Sequence, residues 1–149
     1  MPVLCDVNLL LALVTDRHEH HPTAAQWMAN MAAGEVVVCR IVQTGLLRLL
    51  NNPAVMGDEA LEADDCWSLW HRLLEDDRVL FVGSEPAGLD SIFETFTSGR
   101  GFTPKLWTDA YLAAYARAGS LTLVTFDSGF SSFSRLVCEV LSVRQTGDS

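Results

Sequence analysis

Basic residues are scarce: ten Lys and Arg stand against nineteen Asp and Glu in 149 residues, a formal net charge of −9. Affinity for a phosphate backbone normally rests on Lys and Arg, so by itself the chain should hold nucleic acid weakly. An acidic surface suits a basic protein partner. An acidic cleft that holds a metal ion still accepts phosphate, because the ion reverses the local sign. Cysteines are few and scattered, at Cys5, Cys39, Cys66 and Cys138, with no C-x-x-C pair; that argues against a zinc site or a redox dithiol and leaves buried, reduced thiols as the expectation. Long apolar runs are missing. The longest near the start, Val7 to Val14, is interrupted by Asn8 and falls far short of the ~20 residues of a spanning helix. With no basic leader and no small-residue cleavage site, a cytoplasmic protein without a membrane association is expected. Also absent are a G-x-S-x-G elbow, a P-loop and a G-x-G-x-x-G turn, so serine-nucleophile, NTPase and dinucleotide readings lack their parts.

What is present is apolar material for one core. Hydrophobic residues make up 49% of the chain, enough for a single domain and too short a chain for two. One domain over residues 1–144 is expected, with 145–149 as a loose tail. No internal repeat or low-complexity tract interrupts it.

Strand-like and helix-like segments alternate. Residues 2–6 read as a buried strand and 8–14 as the helix after it. His21-Pro22-Thr23 opens a second helix with Ala24, Trp27, Met28 and Met31 at helical spacing, closed by Gly34. Val36 to Cys39 is a continuous β-branched run, as in a strand covered on both faces. A helix over 41–50 stops at Asn51-Asn52-Pro53. One long helix over 58–75 follows, its stripe of Leu61, Trp67, Trp70, Leu73 and Leu74 facing the core or a partner. Further strands are expected at 79–82, 121–125 and 136–141, with helices at 86–96 and 107–119, the last capped by Thr108 or its neighbour. Between those two helices, 98–104 is a Gly-rich loop. The alternation predicts an α/β fold of three layers, α/β/α, with a mainly parallel sheet of about five strands. In such sheets ligands bind beyond the carboxyl ends of the strands, near a reversal of strand order.

Three acids fall at that edge. Asp6 comes directly off the first strand, Asp127 leaves the fourth in Asp-Ser-Gly, and Asp109 opens a helix. Singly, each has an ordinary explanation: a helix cap for Asp6, a favourable dipole contact for Asp109, a turn hydrogen-bonded to its own backbone for Asp127. Together they come from three separate segments that the topology brings to one edge. Close carboxylates raise one another's pKa unless a cation lies between them. Their hard oxygens suit Mg²⁺ or Mn²⁺, and such an ion activates water and offsets charge on a phosphoryl oxygen.

Four stretches carry a resemblance: Leu4-Cys5-Asp6-Val7-Asn8-Leu9-Leu10, Gly45-Leu46-Leu47-Arg48-Leu49-Leu50-Asn51-Asn52-Pro53, Trp107-Thr108-Asp109-Ala110-Tyr111-Leu112-Ala113-Ala114, and Leu123-Val124-Thr125-Phe126-Asp127-Ser128-Gly129-Phe130. In order and spacing the chain resembles the PIN-domain ribonucleases, specifically the VapC toxins of bacterial toxin–antitoxin pairs, over nearly its whole length. The resemblance implies a metal-dependent endoribonuclease, a homodimer, neutralised by a cognate antitoxin protein in its cleft. It carries Asp6, Asp109 and Asp127 over as the metal-binding, catalytic acids, with Asn8 and Thr125 as polar neighbours. The family commonly has a further acid near the start of the helix expected over 41–50, where this chain has Gln43. A glutamine orients water but adds no charge, which favours one tightly held ion over two.

Other signals are plainer. His18, His20 and His21 with Glu19 lack a distant fourth ligand at zinc spacing and read as a solvated helix entrance. Trp67 and Trp70 suit a core before an interface. Arg40, Arg48, Arg100 and Lys105 are candidate RNA contacts; on residue type alone, Arg48 more often is solvated or pairs with an acid. Two other functions compete: an inactive PIN-like regulatory domain that binds a partner, supported by Gln43 and the acidic surface, and an Asp6-dependent phosphatase, which would want an acid where Asn8 stands.

Overall fold

The computed structural model describes residues 1–99 and 101–142. Five parallel strands form one sheet in the order β3-β2-β1-β4-β5: β1 (Val3–Cys5), β2 (Val36–Cys39), β3 (Val79–Val82), β4 (Thr122–Thr125) and β5 (Cys138–Val140). The inner strands β1 and β2 are continuously apolar because both faces are covered. The helices are α1 (Val7–Val14), α2 (His21–Ala29), α3 (Arg40–Leu50), α4 (Pro53–Met56), α5 (Ala63–Leu74), α6 (Leu89–Thr97) and α7 (Trp107–Ala118). Connections between parallel strands are right-handed, so those running β1 to β2 to β3 share one face and the return through α6 and α7 to β4 takes the other. That is the expected three-layer α/β/α architecture. The core runs through both layers, from Leu4, Leu9 and Leu10 to Leu46, Leu112, Leu123 and Phe130.

The order reverses beside β1. The chain moves outward to β2 and β3 and then returns to lay β4 on the other side of β1. The crevice of a doubly wound sheet therefore opens above the carboxyl ends of β1 and β4, the strands followed by Asp6 and Asp127.

Several boundaries differ from the sequence reading. The single helix expected over 58–75 is broken: a 3-10 turn at Gly57–Glu59 precedes α5. Leu61 N–H donates to Leu50 O at 2.8 Å and Asn51 Nδ2 to Leu61 O at 2.7 Å, fastening this stretch to the end of α3. The short helix α4 was not expected. Asn52, read only as a stop signal, also caps α4 by accepting from Ala54 N, with Pro53 in the first turn. The second helix ends at Ala29, five residues before Gly34. Thr108 does not cap α7; the 3-10 turn Pro104–Leu106 leads directly into it, and no side chain caps it. The helix expected from Pro86 begins at Leu89, after Gly88 in a left-handed conformation (φ 86°). Trp70 is buried edge-on against Phe81, whereas Trp67 is about half exposed (46%). Cys5, Cys39 and Cys66 are buried free thiols and Cys138 is a half-buried one. Among the described residues no helix is long and apolar enough to cross a membrane. The tail expected at 145–149 lies outside the described residues, as does Arg100.

Candidate active site

Asp6 is the cap of α1 and is itself buried. Its Oδ1 accepts from Val7 N–H at 2.7 Å and its Oδ2 from the Thr125 hydroxyl at 2.6 Å. Burial pushes its carboxyl up from the usual range; the Thr125 and Val7 hydrogen bonds oppose the rise and the Asp127 charge adds to it. Thr125 closes β4 and is fully buried. Its oxygen also accepts the Asp127 N–H at 3.0 Å. Asp127 in turn accepts from Gly129 N–H at 2.8 Å and opens the 3-10 turn Ser128–Ser132. The ordinary roles of Asp6 as cap and Asp127 as turn residue are thus both realised, and they leave the carboxyls fixed at the sheet edge.

Asp109 lies in the first turn of α7. Its carboxyl is raised to about 6, by burial first and then by the charges of Asp6 and Asp127. Asp109 therefore feels the charges of Asp6 and Asp127 across the junction of β1, β4 and α7. Among the described residues, no three His, Cys, Asp or Glu side chains are drawn close enough to enclose an ion in the chain by itself. The donor set is nonetheless all hard oxygen, and mutual repulsion is what a divalent cation relieves.

The other candidates are differently engaged. Asn8 is in the first turn of α1 and exposed. Gln43 is buried, with its carbonyl accepting from Arg40 Nη1 at 2.6 Å, and the Arg40 guanidinium lies over the Phe81 ring at 4.6 Å. That pair is engaged with β3. Lys105 is exposed in the turn leading to α7. Arg48, expected to be solvated or paired, is exposed and makes no ion pair or hydrogen bond among the described residues; it lines a cavity with Val7, Val42, Gly45, Thr108 and Leu112. His18, His20 and His21 fold the entrance of α2: His18 Nδ1 accepts from His20 N–H at 3.0 Å and His21 Nδ1 lies 2.8 Å from Ala12 O. The His20 ring packs on Phe126 at 5.0 Å, beside Asp127. Neither that contact nor the cavity was foreseen; the one available signal was a glycine, Gly45, in mid-helix.

This sheet, with acids at its reversal point, matches the PIN-domain family model over residues 3–136, and the chain belongs to that family. Within it the chain is of the VapC type. It is 37% identical over 144 residues to Ribonuclease VapC41 of Mycobacterium tuberculosis, covering 94% of this chain and 99% of that one. Among solved structures, VapBC2 from Rickettsia felis bound to a promoter DNA fragment superposes with a TM-score of 0.64 at 15% identity, over 95% of this chain and 100% of that one. The sarcin-ricin loop cleaving toxin VapC20 of Mycobacterium tuberculosis gives 0.64 at 19%, over 89% and 95%. At those identities the two structures speak for the fold alone.

Proposed function

We propose that this chain is a divalent-metal-dependent endoribonuclease and the toxin half of a toxin–antitoxin pair, with Asp6, Asp109 and Asp127 holding one Mg²⁺ or Mn²⁺ ion. The observation that carries the reading is the placement of three carboxyls from three chain segments at the reversal of strand order, Asp6 tied to the backbone of Asp127 through Thr125 and Asp109 in the first turn of α7, in a chain 37% identical to a named ribonuclease. Such an ion, when bound, lowers the pKa of water and stabilises charge on a phosphoryl oxygen. The chain's own residues do the positioning. Thr125 ties Asp6 and the backbone of Asp127 into one unit. Burial of Asp6 keeps bulk water from one side of the site. Asp109, on a different element, completes the set.

The low count of basic residues fits a substrate held at few points and an antitoxin that brings positive charge to the cleft. An RNA target suits a cytoplasmic site of action, and the family resemblance suits a homodimer. The test compares wild type and D6N on RNA with Mg²⁺, with Mn²⁺ and with chelator. Cleavage that needs metal and disappears in D6N supports the reading. Cleavage surviving in D6N points to a contaminant, and none by either protein favours an inactive partner-binding domain. Release of phosphate from small monoesters favours the phosphatase.

A further inference from the structure

The cavity beside the acids has an occupant suggested by its walls. It measures about 160 Å³ and lies between α1, α3 and α7. Val7 follows Asp6 and Thr108 precedes Asp109, so two of its lining residues are chain neighbours of two of the acids. Its walls are largely apolar, from Val7, Val42 and Leu112. Gly45 lets α3 approach α1 closely at the slot wall: a Cβ there would stand 2.8 Å from Val7 Cγ2. An apolar cavity of roughly 150 Å³ accepts one benzene-sized ring; this one is partly open, so it seats a single ring of a flat heterocycle and leaves the second ring of a purine outside, towards Arg48. At the lip stands Arg48, exposed and free of ion pairs among the described residues. In a chain of net charge −9, a guanidinium left unneutralised at a cavity mouth is a donor awaiting an acceptor.

The geometry points to a base-reading slot: one unstacked nucleobase of the RNA enters between Val7, Val42 and Leu112, and Arg48 reads its edge, favouring guanine. A guanidinium only donates, and its fork matches the adjacent O6 and N7 acceptors of guanine better than a donor–acceptor edge. Sequence-specific RNA recognition uses splayed bases in this way. A base seated there sets its own nucleotide's phosphate beside the acids, so the slot would choose the cleavage site. The inference rests on the ribonuclease reading for its biological use, though not for its binding test.

That test has two arms on the full-length protein. In the first, GMP, AMP, CMP, UMP and inorganic phosphate are titrated into wild type and R48M in the presence of chelator, followed by NMR. GMP should bind in preference to the others, and R48M should lose that preference by about tenfold or more. In the second, short RNAs differing only in the base next to the cut are cleaved with Mn²⁺. The kcat/KM ratio of guanine to non-guanine sites should collapse in R48M and recover in part in R48K. An unchanged ratio and unchanged GMP affinity would overturn the slot. So would an equal loss for all four bases with inorganic phosphate competing, which makes Arg48 a phosphate contact. If wild type cuts no RNA with either metal, the ribonuclease reading fails, and the nucleotide titration still decides whether the slot takes guanine.

Discussion

The Thr125 hydroxyl donates to Asp6 Oδ2 at 2.6 Å, joining residues 119 positions apart, and its oxygen accepts the Asp127 N–H at 3.0 Å. One buried hydroxyl therefore sets two acids from two strand ends.

Replacing it should be costly in two ways. T125V keeps the shape but leaves an Asp6 oxygen and the Asp127 N–H without their partner, a loss of about 1–3 kcal/mol for a buried group. Urea unfolding should show that loss, with T125S recovering most of it. A T125V protein as stable as wild type would mean that water or another donor replaces the bond.

Asp109 gives a pH dependence of stability. Its carboxyl titrates at about 6 in the folded, metal-free chain, against ~3.9 unfolded. The folded chain thus binds this proton more tightly, and the resulting stabilisation is present below about pH 4 and lost as pH rises through about 6. D109N should therefore match wild type at low pH and exceed it at pH 7.5 without metal. Discounted for solvent screening of a half-exposed group, the gain is on the order of 1 kcal/mol. Guanidinium unfolding of both proteins at the two pH values measures it, and a difference independent of pH would contradict the coupling.

Gly45 reverses a general rule. Gly to Ala within a helix normally stabilises by about 1 kcal/mol, yet a Cβ here would press 2.8 Å from Val7 Cγ2, and valine is stiff. G45A should destabilise by about 1–3 kcal/mol through overpacking, and V7A in the same chain should relieve most of it. Thermal melts of the single and double variants decide the matter. A stabilised G45A would mean that α1 and α3 separate freely.

Much of this arrangement is legible in the sequence because it is local. β2 and β3 match their expected bounds, since a run such as Val36-Val37-Val38-Cys39 needs no distant information to be read as a strand. The acids were legible because Asp6 and Asp127 follow strands and Asp109 opens a helix, elements whose direction the alternating pattern fixes. The misreadings arise where long-range contacts decide. The break before α5 depends on Leu61 and Asn51 meeting across a turn, and apolar spacing continues straight through it. The partners of Gln43, Arg40 and Phe81, are likewise beyond local reading, Phe81 lying on a strand far along the chain. The slot by Arg48 has walls from three helices, which no single stretch reveals.

The central claim is that Asp6, Asp109 and Asp127 share one cation. Titration of Mn²⁺ into the chelator-stripped protein, followed by calorimetry, tests it with no substrate present. Wild type should bind one ion per chain, and D6N, D109N and D127N should each lose at least about tenfold in affinity, as removal of one carboxylate ligand implies. Binding unaltered in all three variants, or no binding by wild type, would contradict the account.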